Sequence, residues 1–450
     1  MKKERLGYLA ALCVMTGFLL MACGSSVGET RSESVKAEDR GEPKILNVWH
    51  QWGNGTRTEA LIQEAVAGYE KEHPELTVAV HALSTKTYTT KISMDLVGTT
   101  EDVDVFYYQV PSMMNRLVKA GRILPLDGYL TQEVLGKIKD GRLNDTTVDG
   151  VVYGLPLYSS VFVLYCNQEL FRQAQVAVPT SEEELLMAGE KFVELGITPL
   201  AVGAQDAWLA GGLYESIAAT RVGADTMRTV VGGALPMREA PGLRAAAEQM
   251  NELYEAGIFG EEPLNMTEFD AMDAFFEGHA AMFLDGTWAS EHIDASGMNT
   301  DEIEVIGFPV SKEGKYAGNY VGSMTSGSFF VNQNTALPDE AADFAIYLSE
   351  YLGTRVYESG SGLACWDADL SQISPTLEKV VALWDGADHY APAWDTVLSE
   401  ESAQIHLNEC QNLLRKEADL EEFAAAHDRI FSEVTPGDDE MGSDEESVGN

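Results

Sequence analysis

An α/β protein built as two lobes is the fold class this sequence predicts, on three observations. Short apolar runs alternate with stretches of helical periodicity from Lys44 onward, the pattern of a mostly parallel sheet covered on both faces. About 390 residues lie between two strongly polar ends, more than one hydrophobic core usually serves. No fixed-period internal repeat runs through them.

Ile45 to Trp49 reads as a short buried strand. Thr56 with Glu59 forms a capping box that opens a helix whose apolar face uses Leu61, Ala65 and Tyr69, and Pro74 stops it. Leu76 to His81 alternates as a second strand, and Val103 to Tyr107 follows as a third. Val161 to Cys166 is apolar at every position through Tyr165, as a central strand would be. Glu182, Glu183 and Glu184 then place acids at the positive end of a helix that stops before Gly196. Thr198 to Val202 is the next strand, Phe269 to Phe276 a helix, Ala280 to Leu284 and Ile303 to Phe308 further strands, and Ser328 to Val331 the last. Pro338 opens a helix with Phe344, Tyr347, Leu348 and Tyr351 on one face. Residues 375–435 read as all helical.

The ends have their own logic. Lys2, Lys3 and Arg5 precede an apolar run from Leu6 to Leu20, and Leu20-Met21-Ala22-Cys23-Gly24 follows. This is the layout of a secretory signal with a cysteine at the cleavage point, which resembles the lipobox of bacterial lipoproteins. Cleavage after Ala22 would leave Cys23 as the lipid attachment site. Read instead as a membrane anchor, the run is at the low end of spanning length and is interrupted by Gly7, Thr16 and Gly17. Residues 23–43 form a flexible tether rich in Gly, Ser and charge. The tail 436–450 carries six acidic residues and no basic one, the composition of a disordered, solvated segment.

The chain carries a net charge of −42, and because the leader's Lys2, Lys3, Glu4 and Arg5 contribute +2, the mature chain carries −44. That field repels nucleic acid and anionic lipid headgroups but is indifferent to a neutral solute. Of five cysteines, Cys13 leaves with the leader and Cys23 takes lipid. Cys166, Cys365 and Cys410 remain, and three cannot make a paired framework, although one bridge among them is open. Cys166 closes an apolar strand and reads as a small buried hydrophobe. No Cys/His spacing suits zinc, and no HExxH or calcium-loop pattern occurs, so no cofactor is expected.

Four segments together carry a family resemblance. They are Leu117-Val118-Lys119-Ala120-Gly121-Arg122-Ile123-Leu124-Pro125-Leu126-Asp127; Tyr153-Gly154-Leu155-Pro156; Leu164-Tyr165-Cys166-Asn167-Gln168-Glu169-Leu170-Phe171 with Pro179-Thr180; and Phe276-Glu277-Gly278-His279-Ala280-Ala281-Met282-Phe283-Leu284-Asp285-Gly286-Thr287-Trp288. In order and spacing, from about residue 44 to 435, the chain resembles family 1 of the extracellular solute-binding proteins of bacterial ABC importers, the group that binds saccharides. The resemblance implies a periplasmic-binding-protein-like fold of type II, with the ligand cleft between two lobes and no chemistry on the ligand. It places residues 44–150 and 303–360 in lobe 1, and 151–302 and 361–435 in lobe 2. It also implies a monomer, anchored by lipid at the outer face of the cytoplasmic membrane, that hands its ligand to permease subunits. Cys166 and the start Trp49-His50-Gln51-Trp52 depart from the family's usual pattern.

A saccharide cleft needs aromatic plates for C–H faces and planar polar groups for hydroxyls. In open α/β sheets these gather beyond the carboxyl ends of strands. That criterion selects His50, Gln51 and Trp52 after the first strand, and Tyr108 and Gln109 after the third. Tyr158 lies near the crossing between lobes, where it either lines the cleft or packs the hinge. Asp206 and Trp208 share one loop. Asp285 and Trp288 follow the Ala280 to Leu284 strand, and Asp285 either accepts sugar hydroxyls or caps the next helix. Gly322 and Ser323 lie in a small, polar crossing segment that suits close approach to a ligand. Trp366 and Asp367 follow the Gly360-Ser361-Gly362 break and would reach the cleft from the second lobe. Trp384 and Trp394 read as core.

Other functions fit less well. A secreted hydrolase would need a carboxylate pair such as Asp285 with Asp206 or Asp367, but with 72 acidic residues some pair is always available. No GxSxG or triad-like signature occurs. A scaffold lipoprotein would explain the anchor but not the two-lobe order. Among binders, a peptide, polyamine or metal complex is the alternative ligand, and seven tryptophans favour saccharide.

Overall fold

In the computed structural model, residues 44–433 are described apart from 54–56, 84–86, 89–90, 93–102, 110–111, 312–314, 370, 372, 386–388 and 416–418. The leader, Cys23, the tether, Thr56 and the acidic tail lie outside the described residues.

Strand β1 (Lys44–His50) is flanked on both edges by parallel neighbours, β2 (Leu76–Ala82) from Lys44↔Leu76 to His50↔Ala82, and β3 (Val105–Tyr108) at Val48↔Val105. The helix Arg57–Glu72 crosses between β1 and β2 and buries Ile62, Ala65, Val66 and Tyr69, one stripe at helical spacing. It ends two residues before Pro74, whose ring disfavours helical geometry in the residue ahead of it. A two-stranded hairpin, β4 (Thr147–Val148) and β5 (Val151–Val152), turns through Asp149 and Gly150, both at positive φ as a tight hairpin turn requires.

Two long strands then tie the molecule together. β6 (Gly154–Asn167) is followed by β7 (Thr198–Ala201), β8 (Ala280–Gly286), β9 (Ile303–Ile306), β10 (Asn319–Val331), β11 (Leu363–Ala364) and β12 (His389–Ala391). The main sheet runs β2-β1-β3-β10-β6-β8-β7, with β9 and β11 also on β6 and β12 on β10. β6 and β10 are antiparallel: Gly154 and Leu155 face Phe330 and Phe329, whereas Ser160 and Val161 face Ser323 and Gly322, with the register shifting between. Beyond that shift β6 pairs with β8 along Phe162–Cys166 and with β9 along Leu164–Asn167.

Each end of these strands serves its own core. Leu46, Val48, Phe106, Leu155, Phe330, Phe344 and Leu348 form the first lobe's core. In the second lobe β6 is buried on both faces. Leu164 and Cys166 enter one core with Leu200, Leu213, Met250 and Trp394, while Val163 and Tyr165 enter another with Phe275, Phe283 and Leu377. A period of two with both faces covered is why this run is apolar at both parities.

Several expectations are corrected here. The sheet's flanks are parallel, but its centre is antiparallel, because the chain passes up β6 and back down β10. Ile303–Ile306 pairs beside β8 on β6, so the chain returns to the first lobe along β10 and not at residue 303. Ser328 to Val331 is the end of a longer strand, and β11 and β12 follow it, the latter inside the region read as all helical. Cys166, Cys365 and Cys410 are all buried, and no bridge links them to one another.

Candidate functional site

The first lobe places its candidates at the carboxyl ends of β1 and β3, where the strands stop and side chains are freed from the sheet. The Trp52 ring packs 4.2 Å from Tyr107, which meets Phe329 at 5.8 Å in an edge-on contact. His50 is fully buried beneath them. Its Nδ1 accepts the Trp52 backbone N–H at 3.2 Å, so the neutral ring carries its proton on Nε2, which has no hydrogen-bond partner among the described residues. Burial pushes the His50 pKa down to about 4, and the ring is neutral at pH 7. Gln51 is half-buried, Tyr108 ends β3 opposite Ser328, and Gln109 is exposed just beyond it.

The second lobe assembles an aromatic group from three separate elements. Phe162 comes from β6, Trp208 from the first turn of the helix Ala207–Val222, and Trp288 from the turn after β8. Trp208 and Trp288 lie 5.6 Å apart and tilted, and Phe162 stands edge-on to Trp288 at 6.0 Å. A methyl group at Gly286 would stand 2.2 Å from the Trp288 ring, so only glycine leaves room for the indole over the backbone. Trp288 Nε1–H donates to Glu268 Oε1 at 2.9 Å. Asp206 Oδ2 accepts the backbone N–H of Glu268 at 2.8 Å, fastening the start of the helix Glu268–Phe276 beside the two indoles.

Behind this wall Asp285 is fully enclosed, its Oδ1 accepting the Gly286 N–H at 2.7 Å. Burial and the neighbouring Glu268 charge push the Asp285 pKa well up, and burial with the Asp206 charge raises that of Glu268. Asp285 is therefore corrected from a hydroxyl acceptor or cap of the next helix to a fully buried acid bonded to the Gly286 N–H.

Three further candidates are placed by packing. A methyl at Gly322 would stand 2.4 Å from Ser160 O, so Gly322 lets the two crossing strands approach each other, not a ligand. Trp366 is completely buried against Ile138 and Cys365, and its indole N–H donates to Pro156 O at 2.6 Å. It is core under the first lobe and does not reach out from the second. Asp367 is exposed, held by its N–H to Lys137 O at 2.8 Å. Ser323 accepts the Ser159 hydroxyl on its carbonyl at 2.7 Å, and Tyr158 lies between Gly327 and Ala364 in the crossing region. Trp394 is core, as expected, and Trp384 is partly buried against the second core of its lobe.

Sequence reasoning missed Glu268, Phe162 and Tyr107. Glu268 follows Thr267 within a capping box completed by Asp270, which hides it as an ordinary first-turn acid. Phe162 and Tyr107 sit inside apolar strand runs and read as core.

A family model for bacterial extracellular solute-binding proteins matches residues 52–350. Proteins of Brucella abortus named as binding proteins are 22% identical over 300 residues, and the match spans 66% of this chain and 66% of theirs. The galactooligosaccharide-binding protein of Bacillus subtilis is 25% identical over 350 residues, 74% of either chain. A solved structure from work on xylan utilization by Caldanaerobius polysaccharolyticus superposes with a TM-score of 0.80 at 27% identity, covering 86% of this chain and 99% of that one. The match covers the two lobes joined by β6 and β10, and this chain belongs to the bacterial extracellular solute-binding proteins.

Proposed function

We propose that the protein captures a saccharide between its lobes and presents it, chemically unchanged, to the permease of an ABC importer. The observation that carries this reading is the Trp208–Trp288 pair, two large rings held at 5.6 Å with one indole N–H fixed by a carboxylate. Such a wall offers flat apolar faces for sugar C–H groups with polar atoms at their rims. The names of the Bacillus subtilis and Caldanaerobius relatives, tied to galactooligosaccharide and xylan, support the same class of ligand. Trp52 and Gln109 on the first lobe would close over the other face.

The protein would work as a monomer at the outer face of the cytoplasmic membrane, held by lipid on Cys23. Cys23→Ala should leave it in the medium or as an uncleaved precursor, and lipid-extractable mature protein from that variant would remove the anchor from the proposal.

A thermal-shift screen against mono- and oligosaccharides tests the ligand class. A cleft binder gains about 2.7 kcal/mol at a hundredfold excess over Kd, enough for a clear rise in melting temperature. Mass spectrometry of the bound sugar after long incubation should show no cleavage product. A panel with no shift, or turnover abolished by Asp285→Asn, would overturn the reading.

A further inference from the structure

Among the described residues, no lysine or arginine forms an ion pair with Asp206, Glu268 or Asp285, although the three carboxyl groups lie together beside the Trp208–Trp288 wall. Two buried or half-buried acids next to each other cannot both stay ionised without a cation, and one proton shared between them is the economical solution. The geometry shows what that proton would protect. Glu268 Oε1 accepts the Trp288 Nε1–H, Gly286 forms the floor under the indole, and wholly enclosed Asp285, whose carboxyl interacts with that of Glu268, has no geometric hydrogen-bond partner on Oδ2 among the described residues.

We propose that Glu268 is a positioning residue which, by sharing one proton with Asp285, holds the Trp288 indole in its ligand-stacking pose, so that ligand affinity at this wall weakens as pH rises. The inference rests on the reading of Trp288 as a stacking residue and adds regulation to it. When the shared proton leaves, two carboxylates face each other in a poorly solvated space. Asp285 is locked in β8 by its bond to Gly286 N–H, whereas Glu268 is half-exposed on the first turn of its helix. Glu268 is therefore the group that moves, toward water and away from the indole.

The surrounding titratable groups are few. Asp206 repels Glu268 and His292, on the helix Ala289–Ala295, attracts it. Tyr165 on β6 donates to Gly286 O at 3.0 Å and feels both Asp285 and Asp294.

The test uses the whole mature chain in two arms. In the first, near-ultraviolet circular dichroism and tryptophan fluorescence of the free protein are followed from pH 5 to 9 for wild type, Glu268→Gln and Trp288→Phe. Wild type should titrate above the ordinary carboxylate range, and both variants should lose that transition while remaining folded. A flat wild-type profile, or a transition undiminished in Glu268→Gln, overturns the proposal.

In the second arm, xylotriose and galactotriose are titrated at each pH. The Kd of whichever binds should rise by up to roughly tenfold per pH unit above the free protein's transition in wild type, and stay level in Glu268→Gln, which keeps an acceptor for the indole but cannot ionise. A Kd that rises equally in both overturns it. If neither sugar binds while the free protein still titrates through Glu268, the proton coupling stands and the saccharide reading is what fails.

Discussion

Glu215 Oε1 lies 2.9 Å from His406 Nε2, with both side chains completely removed from solvent. The relationship extends into a directed chain. His406 Nδ1 is 2.9 Å from His427 Nε2, and His427 Nδ1 is 2.8 Å from Phe423 O. A backbone carbonyl only accepts, so His427 Nδ1 must carry a proton. With His427 neutral its Nε2 accepts, and His406 Nδ1 carries the next proton. His406 Nε2 then accepts in turn, and Glu215 completes the chain as a carboxylic acid. Burial favours the same state, pushing Glu215 up to about 8 and His406 and His427 down to about 4 and about 3.

The cluster joins three helices to the wall of the site. Glu215 is on Ala207–Val222, the helix whose first turn carries Trp208, while His406 and His427 come from Glu400–Arg415 and Leu420–Phe431. Glu215 also accepts the Trp394 backbone N–H at 3.0 Å. Stability should therefore peak near pH 6.5. Between about 6.5 and 8 the native state keeps a proton on Glu215 that the unfolded chain has lost, so stability falls as pH rises, by about 1.4 kcal/mol per pH unit for one proton. Below 6.5 the unfolded histidines take up protons that the buried ones refuse, and stability falls as pH drops. Glu215 itself and Asp395, raised to about 6 by burial, hold native protons that the unfolded chain has lost, so from about 4.5 to 6 they largely cancel that acid arm. Melting curves of Glu215→Gln should lose the alkaline arm and show a steeper acid one, because the native proton that opposed the histidines is gone. An alkaline slope equal to wild type would show that Glu215 is not the group responsible.

Trp366→Phe should weaken the unliganded fold by about 1–3 kcal/mol, because it leaves the buried Pro156 carbonyl without its donor. Saccharide affinity should hardly change, since the indole is enclosed between Ile138 and the helix Pro338–Ser359. Chemical denaturation paired with a ligand titration checks both halves. A lost affinity with an intact midpoint would return Trp366 to the cleft.

What the sequence reveals about the fold depends on whether a segment's burial is local. Val161–Cys166 announces itself because both of its faces enter cores. The first half of the same strand, Gly154–Ser160, does not, because its buried positions are filled by Gly154, Pro156, Ser159 and Ser160 as well as by Leu155 and Leu157, and that mixture carries no strand pattern. Asn319–Ser326 reads as a loop for the same reason. Helix ends are legible from single residues such as Pro74, Gly196 and Pro338, since those act on the backbone itself. The site is legible only in part. Trp208 and Trp288 follow strands and could be found. The fate of Trp366 depends on Ile138 and on a helix that packs over it, and the part played by Glu268 depends on a ring twenty positions away.

Gly322→Ala should cost about 1–3 kcal/mol of stability, since its methyl would collide with Ser160 O and no side-chain rotation relieves a clash with backbone. The affected contact is the one where β6 and β10 pass each other between lobes. Thermal unfolding of the free protein should drop while sugar affinity at a temperature well below the transition stays near wild type. Weakened affinity with unchanged unfolding would place Gly322 against the ligand after all.

Gly286→Ala and Trp288→Ala separate the presence of the indole from its pose. Trp288→Ala removes the ring and should cost roughly 1–3 kcal/mol of saccharide binding, the range for an exposed aromatic anchor. Gly286→Ala keeps the ring but puts a methyl 2.2 Å from where it lies, so the indole must tilt off its floor and lose its bond to Glu268 Oε1. If the pose matters as much as the ring, the two variants should lose similar affinity, and the double variant should lose little more than either, because both act on one contact. The folded state of Trp288→Ala should remain close to wild type, since Phe162 and Trp208 still cover the strand ends. Melting of the free protein and calorimetric titration of all three variants give the answer. Additive losses would mean that Gly286 acts elsewhere, and a large stability loss in Trp288→Ala with normal affinity would make the ring part of the core.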